Sequence, residues 1–567
     1  MSVRALDISR VTAPAGGELH LFYGSQTGNG EAIAEALAAS ATQSGIRVIS
    51  KSLSDLRPAQ LKKIHHAAFV MSTHGDGDPP DDALDLFEWL ESGNGKDLAA
   101  LGFRILALGD RSYAEFCAAG RRLANLLRAR GAGEFAPMVE CDVDYEAEAD
   151  RWSGELLQWA QENLDSGAAN DSTQNSMSTP LAAPRFSLVH STPGWTRARP
   201  FPALVDKVQK ITGLESGKDV YHLELSIEGS GIAYEPGDSL GVWADNDAEL
   251  VSRLLRFLGI DPAERVDDGG RERTIRDTLT RRRDLTRLHF DSLERWSQLE
   301  TTRGRGGLLR KLRQFDSEAR KAFLEARQFS DLAEEFPFGL TAQELADLLP
   351  ALGPRSYSIA SSRALVDEAV HLTVVTQRSN AIGQERHGLA SGFLNRRVHA
   401  GDEVRLFLEP NHRFRLPESS NAPIIMIGAG TGIAPYRAFL QELEARGDSP
   451  PAWLIFGNPH RRTDFLYQRE WLKWRSDGLV NRIDGAFSRD QAPKRYVQHV
   501  VREQGAEISR WIEDGAYIYL CGALAMGHAV ELALVDAIGT ERSLVPEAAA
   551  EVVKDLRRQR RLLKDLY

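Results

Sequence analysis

The chain has 567 residues, 69 Lys and Arg against 80 Asp and Glu, and a net charge of −11. The length suits three or four domains, and an acidic chain with only short basic clusters argues against nucleic-acid binding. Its three cysteines lie far apart in sequence, which argues against a disulfide framework or a cysteine metal site. The N-terminal segment has no apolar signal-peptide core, and no run of about 18 apolar residues exists to span a membrane. We therefore expect a soluble, cytoplasmic protein without membrane or nucleic-acid partners.

Residues 18–164 are predicted to form a doubly wound α/β domain. Short apolar strands at 20–23, 67–71 and 105–108 alternate with amphipathic segments such as the predicted helix at 31–41. The strands run into loops rich in Gly, Asp or hydroxyl residues. Because ligands bind at the carboxyl ends of the strands in such sheets, these loops form one predicted site.

Two further domains are predicted after a flexible linker at 165–199, which is rich in Ser, Ala, Asn and Thr. From residue 200 the alternation is typical of antiparallel strands, and a mostly helical, charged stretch at about 246–350 interrupts it. This pattern predicts a β-barrel domain over 200–420 with a helical insertion. Strands alternate with helices again over 421–567, which predicts a second parallel-sheet domain. Glycine ends its predicted strands: 424–428, 453–457 and 517–522.

The loops of the first domain carry donors for a phosphate and a flat ring. The segment GSQTGNG has neutral donors and no Lys or Arg, which suits a mononucleotide phosphate, and it lacks the Gly-Lys-Ser/Thr of a Walker loop. Taken alone, this loop is equally well an Asn-Gly-rich turn with a helix cap. The later loops STHGDGDPPDDA and LGDRSYAEFCAAG add glycines, hydroxyls and aromatic rings. The candidate residues are Ser25, Gln26, Thr27, Gly28, Asn29, Gly30, Ser72, Thr73, His74, Gly75, Leu108, Gly109, Asp110, Tyr113, Phe116 and Cys117.

Three motifs in the later domains also suit nucleotide phosphates. RSYSIASS at 355–362 joins an Arg, an aromatic ring and small hydroxyl residues, which can neutralise a diphosphate and stack on a ring. GAGTGIAPYRAFLQ at 428–441 follows a strand and lets a pyrophosphate approach a helix start. AFSRDQAPKRYVQ at 486–498 carries cations, a hydroxyl and a phenol, which suit a 2′-phosphoadenosine. A charged, solvated loop is the alternative for this last segment.

These motifs together resemble those of the diflavin reductase family. Its members present Ser-Gln-Thr-Gly-Asn, Ser-Thr-X-Gly-X-Gly-X-Pro-Pro and Leu-Gly-Asp-X-X-Tyr-X-X-Phe-Cys in one domain, Arg-X-Tyr-Ser in the next and Gly-X-Gly-Thr-Gly-X-X-Pro in the last. The resemblance implies an α/β multidomain fold: a flavodoxin-like domain, an antiparallel β-barrel FAD domain with a helical insertion, and a ferredoxin–NADP reductase-like NADP domain. It implies FMN, FAD and NADPH as cofactors. Electrons would pass from NADPH through FAD and then FMN to a separate acceptor protein.

The resemblance also implies residue roles in the later domains. Arg355 would hold the FAD diphosphate, Tyr357 would stack on the ring, and Ser358 would lie near the flavin N5. The other implied FAD residues are Ser356, Thr373, Val374, Val375, Gly388, Leu389, Ala390, Ser391, Gly392 and Tyr567. The implied NADP residues are Gly430, Thr431, Ser488, Arg489, Lys494, Tyr496, Gln498 and Cys521. The implied catalytic set is Ser358, Cys521, Asp565 and Tyr567, without a metal.

The sequence departs from the family pattern at three of these places. Gly392 replaces a serine of the GLASGFL segment. Relatives continue Cys-Gly-Asp where this chain has Ala523 after Cys521-Gly522, and they have an acidic residue near the position of Ala529. These changes remove one hydroxyl contact and two carboxylates from the implied flavin and nicotinamide sites.

The resemblance is greatest to the flavoprotein subunits of bacterial NADPH sulfite reductases. The segments that carry it are NHRFRLP, MIGAGTGIAP, GNPH with DFLYQ, and SRDQ with YVQ. It implies a partner haemoprotein with sirohaem and an iron–sulfur cluster, which reduces sulfite to sulfide. Only about eighteen residues precede the first predicted strand, whereas relatives often have a longer N-terminal segment for assembly, so we do not expect a large homo-oligomer.

Two other functions are open at this point. One is a stand-alone reductase for a cytochrome mono-oxygenase or another haem or iron–sulfur acceptor. The other is a redox-silent, flavodoxin-like docking protein.

Overall fold

The computed structural model describes residues 18–25, 28–74, 77–93, 97–111, 115–142, 145–164, 194–379, 385–419 and 421–567. The chain divides into two compact units, Met1–Ser191 and Thr192–Tyr567, which we call the N-terminal and C-terminal units. Most of the predicted linker, residues 165–193, lies outside the described residues. Among the residues that are described, none of the helices is long and apolar enough to cross a bilayer.

A parallel sheet forms the centre of the N-terminal unit. Its strands are β1 (Leu19–Gly24), β2 (Val48–Ser52), β3 (His66–Ser72), β4 (Gly102–Leu108), β5 (Gly133–Glu134) and β6 (Val139–Cys141). Its α-helices are α1 (Asn29–Gln43), α2 (Leu84–Glu91), α3 (Ala118–Ala129) and α4 (Glu146–Asn163). The strand order is β2-β1-β3-β4-β5, and β6 also pairs with β4. Both faces of the sheet are covered, which is why β3 is a nearly continuous apolar run. The carboxyl ends of β1, β3 and β4 are adjacent, so the loops after them meet at one edge.

An antiparallel barrel and a helical insertion form the first part of the C-terminal unit. The strands are β7 (Phe201–Lys210), β8 (Val220–Ser226), β9 (Ser239–Trp243), β10 (Arg265–Asp267), β11 (Glu272–Thr274), β12 (Arg355–Ser358), β13 (Ala369–Val375), β14 (Arg378–Ser379), β15 (Arg386–His387) and β16 (Glu403–Glu409). The α-helices are α5 (Ala248–Leu258), α6 (Ile275–Arg281), α7 (Phe290–Thr302), α8 (Gly307–Leu312), α9 (Ser317–Glu325), α10 (Phe329–Glu335), α11 (Ala342–Leu348), α12 (Arg363–Val366) and α13 (Leu389–Gly392), the last continuing as a π-helical turn, Phe393–Arg397.

The six-stranded sheet of this part closes on itself. Its order is β12-β9-β16-β7-β8-β13. The two edges meet just after β12, where Ile359 forms a β-bridge with Leu372. The Ala360 N–H donates to the His371 carbonyl oxygen at 2.8 Å. We call this junction of residues 359–360 with 371–372 the barrel seam. The helices between β9 and β12 pack around their own core, which includes Trp296.

A second parallel sheet forms the rest of the C-terminal unit. Its strands are β17 (Ile424–Ala429), β18 (Ala452–Asn458), β19 (Arg482–Phe487), β20 (Tyr517–Gly522) and β21 (Leu562–Leu566). Its α-helices are α14 (Ala434–Arg446), α15 (Arg461–Asp464), α16 (Gln468–Ser476), α17 (Val497–Glu503), α18 (Gly505–Glu513), α19 (Leu524–Arg542) and α20 (Pro546–Arg558). The order is β19-β18-β17-β20-β21, and all neighbours are parallel. A short 3₁₀ turn, Gly430–Ile433, joins β17 to α14.

A tight turn before β9 connects the barrel with the segment that leads to β17. Gly237 has φ 101°, and a Cβ atom there would lie 1.8 Å from the Phe414 carbonyl oxygen. The next residue, Asp238, is buried and accepts hydrogen bonds from the Asn411 N–H at 2.8 Å and from Arg415. Only glycine fits between these two segments, because the obstructing atom belongs to the backbone.

Replacing this glycine should destabilise the C-terminal unit. Gly237→Ala combines a left-handed backbone with a backbone clash, so we expect the free energy of unfolding to fall by roughly 3 kcal/mol or more. Gly217→Ala is the matched control, since Gly217 is exposed and an added Cβ meets no atom within 4 Å. Its effect should stay within about 0.5 kcal/mol. Chemical denaturation of the full chain measures both, and equal midpoints would contradict the close approach.

Candidate functional site

The carboxylate of Asp565 joins the barrel to the second parallel sheet. The Ser358 hydroxyl, at the end of β12, donates to Asp565 Oδ2 at 2.7 Å. The Cys521 thiol, on β20, donates to the same oxygen at 3.6 Å, and Cys521 is in register with Asp565 on β21. Burial, together with the nearby carboxylate, raises the pKa of the Cys521 thiol well above its ordinary value. The thiol is therefore a neutral donor, and three residues of the predicted catalytic set are in direct contact.

The fourth residue of that set, Tyr567, lies beside them. Its backbone N–H donates to the Gly522 carbonyl oxygen at 3.0 Å, and its carbonyl oxygen accepts from the Leu524 N–H at 3.3 Å. Its hydroxyl is 2.7 Å from Thr431 Oγ1. The residue as a whole, backbone included, is 58 % exposed. Tyr567 is thus accessible to solvent in part, while its hydroxyl is bound to the glycine-rich turn.

The glycine-rich turn contacts the strand that carries Cys521. A Cβ atom on Gly432 would lie 2.0 Å from the Cys521 carbonyl oxygen. Gly430 has φ 61°, and a Cβ atom there would meet nothing within 4 Å. The turn therefore packs against β20 on one side and is open on the other, where a pyrophosphate can approach the start of α14.

The predicted FAD residues form two neighbouring groups in the barrel. Arg355, on β12, lies 3.4 Å from Asp284 of the insertion, and Ser356 is exposed. Tyr357 packs against a cluster that contains Leu389 and Ala390 of α13, and burial raises its pKa. No sequence motif pointed to Asp284, whose carboxylate pairs with the Arg355 guanidinium.

The turn before α13 is tightly built. The Gly388 N–H donates to the Gln377 carbonyl oxygen at 2.9 Å, and the Ser391 hydroxyl accepts from the Gln377 N–H at 3.1 Å. A Cβ atom on Gly388 would lie 3.0 Å from Ser391 Oγ, and one on Gly392 would lie 3.0 Å from His387 Cβ. The glycine that replaces a serine at 392 therefore lets His387 pack closely.

Three of the predicted FAD contacts, all on β13, have buried or partly buried side chains. Thr373 is buried, with its hydroxyl 2.7 Å from the Tyr467 hydroxyl. Val374 lies in the barrel core. Val375 is partly buried and packs against the core of the second parallel sheet. These side chains contribute to the packing of β13, and a contact of this strand with FAD stays a prediction.

The predicted NADP residues after β19 include two cations that form no ion pair with other described residues. The Ser488 N–H donates to the Asn458 carbonyl oxygen at 3.0 Å, which holds this loop beside the end of β18. Arg489 and Lys494 are exposed, and neither side chain has an ion pair or hydrogen bond within the described part of the chain. In contrast, the neighbouring Arg495 is paired with Glu503 at 2.5 Å. Tyr496 is also exposed, and Gln498 is half-buried.

The loops of the N-terminal unit meet at the carboxyl edge of its sheet. Ser25 Oγ accepts from the N–H groups of Gly28 and Gly30 at 3.0 and 3.1 Å, which shapes the loop before α1. The Thr73 N–H donates to the Leu108 carbonyl oxygen at 2.9 Å, which ties the second loop to the third. Thr73 Oγ1 is buried and has no hydrogen-bond partner among the described residues. Such a group needs a partner, and a ligand can supply it.

The remaining predicted residues of this edge differ in position. Asn29 begins α1, Ser72 ends β3, and the His74 N–H donates to the Asp78 carbonyl oxygen at 2.8 Å. Asp110 is half-buried, and Phe116 lies under the Arg111 guanidinium at 4.5 Å. Gln26, Thr27, Gly75 and Tyr113 lie outside the described residues.

Cys117 is a core residue at this edge. It is fully buried, its thiol donates to the Ala107 carbonyl oxygen at 3.4 Å, and burial raises its pKa to about 12. A Cβ atom on Gly109 would lie 2.7 Å from the Cys117 nitrogen. Cys117 therefore contributes close packing behind the loop, with its side chain facing the core.

Family comparisons agree with this architecture. The flavodoxin family matches residues 21–153, the FAD binding domain family matches 194–393, and the oxidoreductase NAD-binding domain family matches 426–531. The chain is 39% identical over 561 residues to the sulfite reductase (NADPH) flavoprotein alpha-component of Vibrio vulnificus strain CMCP6, covering 99% of this chain and 89% of the relative. The proteins of that name from Shewanella sp. strain MR-7 and Bacillus subtilis strain 168 are 42% and 39% identical, covering 98% and 97% of this chain and 90% and 89% of theirs.

The chain belongs to the sulfite reductase (NADPH) flavoprotein alpha-component family. Membership confirms the predicted fold class of a flavodoxin-like domain, an FAD-binding domain and a nucleotide-binding oxidoreductase domain. It likewise confirms FMN, FAD and NADPH as the cofactors that match these domains, and it makes the protein an oxidoreductase.

Ala523, one of the departures from the family pattern, takes a helix-capping position. It is the N-cap residue of α19, with φ −64° and ψ 143°, and it offers no side-chain acceptor to the first turn. The residue is also exposed. A side chain can therefore be introduced there without disturbing the core.

Restoring a carboxylate at this position should stabilise the helix. An Asp side chain accepts a hydrogen bond from the first-turn N–H groups, and its charge suits the helix N-terminus. We expect Ala523→Asp to raise the free energy of unfolding by about 1 kcal/mol. Ala523→Asn supplies the cap without the charge, so the difference between the two variants measures the charge effect. A loss of stability in both variants would show that residue 523 does not cap α19.

Proposed function

We propose that this chain is the NADPH-oxidising component of a sulfite reductase, passing electrons from NADPH through FAD and FMN to a haemoprotein. The observation that carries the proposal is the contact of Ser358 and Cys521 with Asp565, beside the Thr431–Tyr567 pair. This contact places the predicted catalytic residues of the barrel and of the second sheet at one point. A protein that used its flavodoxin-like fold only for docking would not need it.

Each of the three predicted sites contains described residues that suit the group assigned to it. At the FMN site, the buried Thr73 Oγ1 has no partner among the described residues. At the FAD site, Arg355 supplies a cation, and Gly388 keeps the turn before α13 free of a side chain. At the NADP site, Arg489 and Lys494 supply cations for a 2′-phosphate, and neither has an ion pair with another described residue.

The flavins supply the electron chemistry, since a flavin takes a hydride from a nicotinamide and gives up electrons singly. The chain's own residues orient the reacting groups and shield them from solvent. Asp565 fixes the Ser358 hydroxyl and the Cys521 thiol with one charge-assisted acceptor, so neither donor is free to rotate. Because the thiol stays protonated, Cys521 acts by position and not as a nucleophile. Tyr567, whose hydroxyl is bound to Thr431, supplies an aromatic ring beside these groups that can cover a flat ligand.

The assignment of the 2′-phosphate site is tested by coenzyme preference. A charge-assisted hydrogen bond contributes about 1.5–3 kcal/mol, so Arg489→Ala should raise the KM for NADPH by roughly tenfold to a hundredfold. The KM for NADH should change little, because NADH has no 2′-phosphate. The matched control is Arg462→Ala, which removes an exposed cation 4.0 Å from Glu215 and should change neither value. Equal losses with both coenzymes for Arg489→Ala would show that the phosphate binds elsewhere.

The partner is tested by capture of the full chain from its native lysate under reducing conditions. We expect a sirohaem-containing protein to co-purify, and the mixture to oxidise NADPH only when sulfite is added. The purified chain alone should oxidise NADPH with ferricyanide as an artificial acceptor. Ferricyanide reduction without any sulfite turnover in the captured mixture would favour a stand-alone reductase with another acceptor.

A further inference from the structure

A single buried guanidinium joins the second parallel sheet to the barrel seam. Arg437, on the second turn of α14, is 7% exposed. Its Nη1 donates to the Ala360 carbonyl oxygen at 2.6 Å and lies 3.1 Å from His371 Nδ1. Its Nε donates to Glu470 Oε2 of α16 at 2.7 Å. Arg437 therefore contacts both strands of the seam and carries its own counter-charge.

The barrel seam follows directly after Ser358, the residue that contacts Asp565. Ser358 ends β12, and Ile359 and Ala360 follow it directly and pair with β13. The same face of α14 also holds Ser362, whose N–H donates to Gln441 Oε1 at 2.9 Å and whose hydroxyl donates to Glu442. Helix α14 thus fixes the whole segment that leaves β12. A shift of α14 relative to this segment would displace Ser358 from Asp565.

Three neutral side chains, Tyr467, His222 and His371, pack around the Arg437 guanidinium and fix its orientation. The guanidinium lies 4.9 Å from the Tyr467 ring centroid, and the Tyr467 hydroxyl is 3.0 Å from His222 Nδ1. His222 and His371 are in edge-to-face contact. Burial lowers the pKa of His222 to about 4, and it also lowers the pKa of His371. Both rings are therefore neutral near pH 7, and His371 Nδ1 is an acceptor for Arg437.

His222, Glu224 and His371, which we call the Arg437 cluster together with Arg437 and Tyr467, are spaced as metal ligands would be. The one negative charge among the three, on Glu224, is already balanced by a neighbouring cation. His222, Glu224 and His371 place one ligand atom each within 4.8 Å of one another. Two cations already contact them: Lys207 Nζ is 3.1 Å from Glu224 Oε1, and Arg437 is on His371. If His371 Nδ1 accepts from Arg437, the proton of the neutral ring is on Nε2, which then cannot coordinate an ion. We therefore treat the cluster as the support for Arg437.

We infer that Arg437 is a positioning residue for hydride transfer. It holds the barrel seam, and through it Ser358, at a fixed distance from the Asp565–Cys521 pair and from the glycine-rich turn that begins α14. The inference rests on the proposed function, because it assigns a step of the NADPH reaction to this contact. Arg437 acts through Ser358 and does not itself touch substrate.

A double-mutant cycle tests this path. The full chain, loaded with both flavins, is mixed anaerobically with NADPH, and the loss of flavin absorbance gives the reduction rate and its dependence on NADPH concentration. Arg437→Lys keeps the charge but cannot reach all three acceptors, so we expect the limiting rate to fall about tenfold to a hundredfold, as for other small misplacements of reacting groups. Half-saturation by NADPH should change by no more than about twofold, because the glycine-rich turn and Arg489 are intact.

The decisive comparison uses the Ser358→Ala background. If Arg437 acts through Ser358, Arg437→Lys should slow the Ser358→Ala enzyme by less than about threefold, since coupled residues are non-additive. Lys473→Met is the control, because it removes an exposed cation from α16, the helix that carries Glu470, and should leave the rate unchanged. Equal slowing by Arg437→Lys in both backgrounds would overturn the inference.

A second variant covers the case in which Arg437→Lys fails to hold FAD. Glu470→Gln keeps the size of the acceptor and removes only the counter-charge of Arg437, and it should slow flavin reduction about threefold to tenfold, with non-additivity toward Ser358→Ala. An unchanged rate for Glu470→Gln would also overturn the inference. A wild-type protein whose flavins are not reduced by NADPH would instead contradict the proposed function.

Discussion

The carboxylate of Asp565 accepts two hydrogen bonds and so joins the barrel to the parallel sheet of the C-terminal unit. Asp565 takes a hydroxyl donor from the end of β12 and a thiol donor from β20 on one oxygen. The two donors belong to different sheets, so the barrel and the parallel sheet cannot move apart without breaking a charge-assisted contact. The register of β20 and β21 places Asp565 opposite Cys521. The contact of Ser358 and Cys521 with Asp565 therefore depends on strand pairing as well as on the individual side chains.

Close backbone approach is the second constraint on this arrangement. Gly432 packs against the Cys521 carbonyl oxygen, and Gly237 packs against the Phe414 carbonyl oxygen. In both places the neighbour is a backbone atom, which cannot rotate away as a side chain can. The glycine-rich turn is thus tied to the strand beneath it. A change that moves Cys521 also moves this turn, which is the proposed binding site of the coenzyme pyrophosphate.

Local patterns in the sequence were enough to predict many of the strands and the loops that follow them. The predicted strand at 20–23 lies within β1, and the predicted strands at 424–428 and 517–522 lie within β17 and β20. The roles of Ser358, Cys521 and Asp565 were implied by the resemblance to diflavin reductases and not by local patterns, and the structure brings the three residues into contact. Periodicity and turn composition act over a few residues, so they can be read without knowledge of the fold.

Contacts between distant elements were beyond the reach of those patterns. Asp284 reaches Arg355 from the insertion, and nothing near either residue marks the pair. The face of β13 on which Thr373 lies, opposite the barrel core and against Tyr467, depends on the register of that strand, which the paired strand determines. The Arg437 cluster did leave a trace, since His222-x-Glu224 and His371-x-Thr373 place polar side chains on one face of adjacent apolar strands. Polar residues at such positions need partners, and this could have identified the cluster.

The state of the three cysteines has a practical consequence. All three are buried, and burial raises the pKa of Cys117 and Cys141 to about 12 and raises that of Cys521 well above its usual range. Maleimides and similar reagents attack the thiolate at an accessible sulfur. The native chain should therefore not react with thiol-labelling reagents. Fluorescent or spin labels on cysteines introduced at the surface can then report the separation of the two units in solution, without removing any native residue.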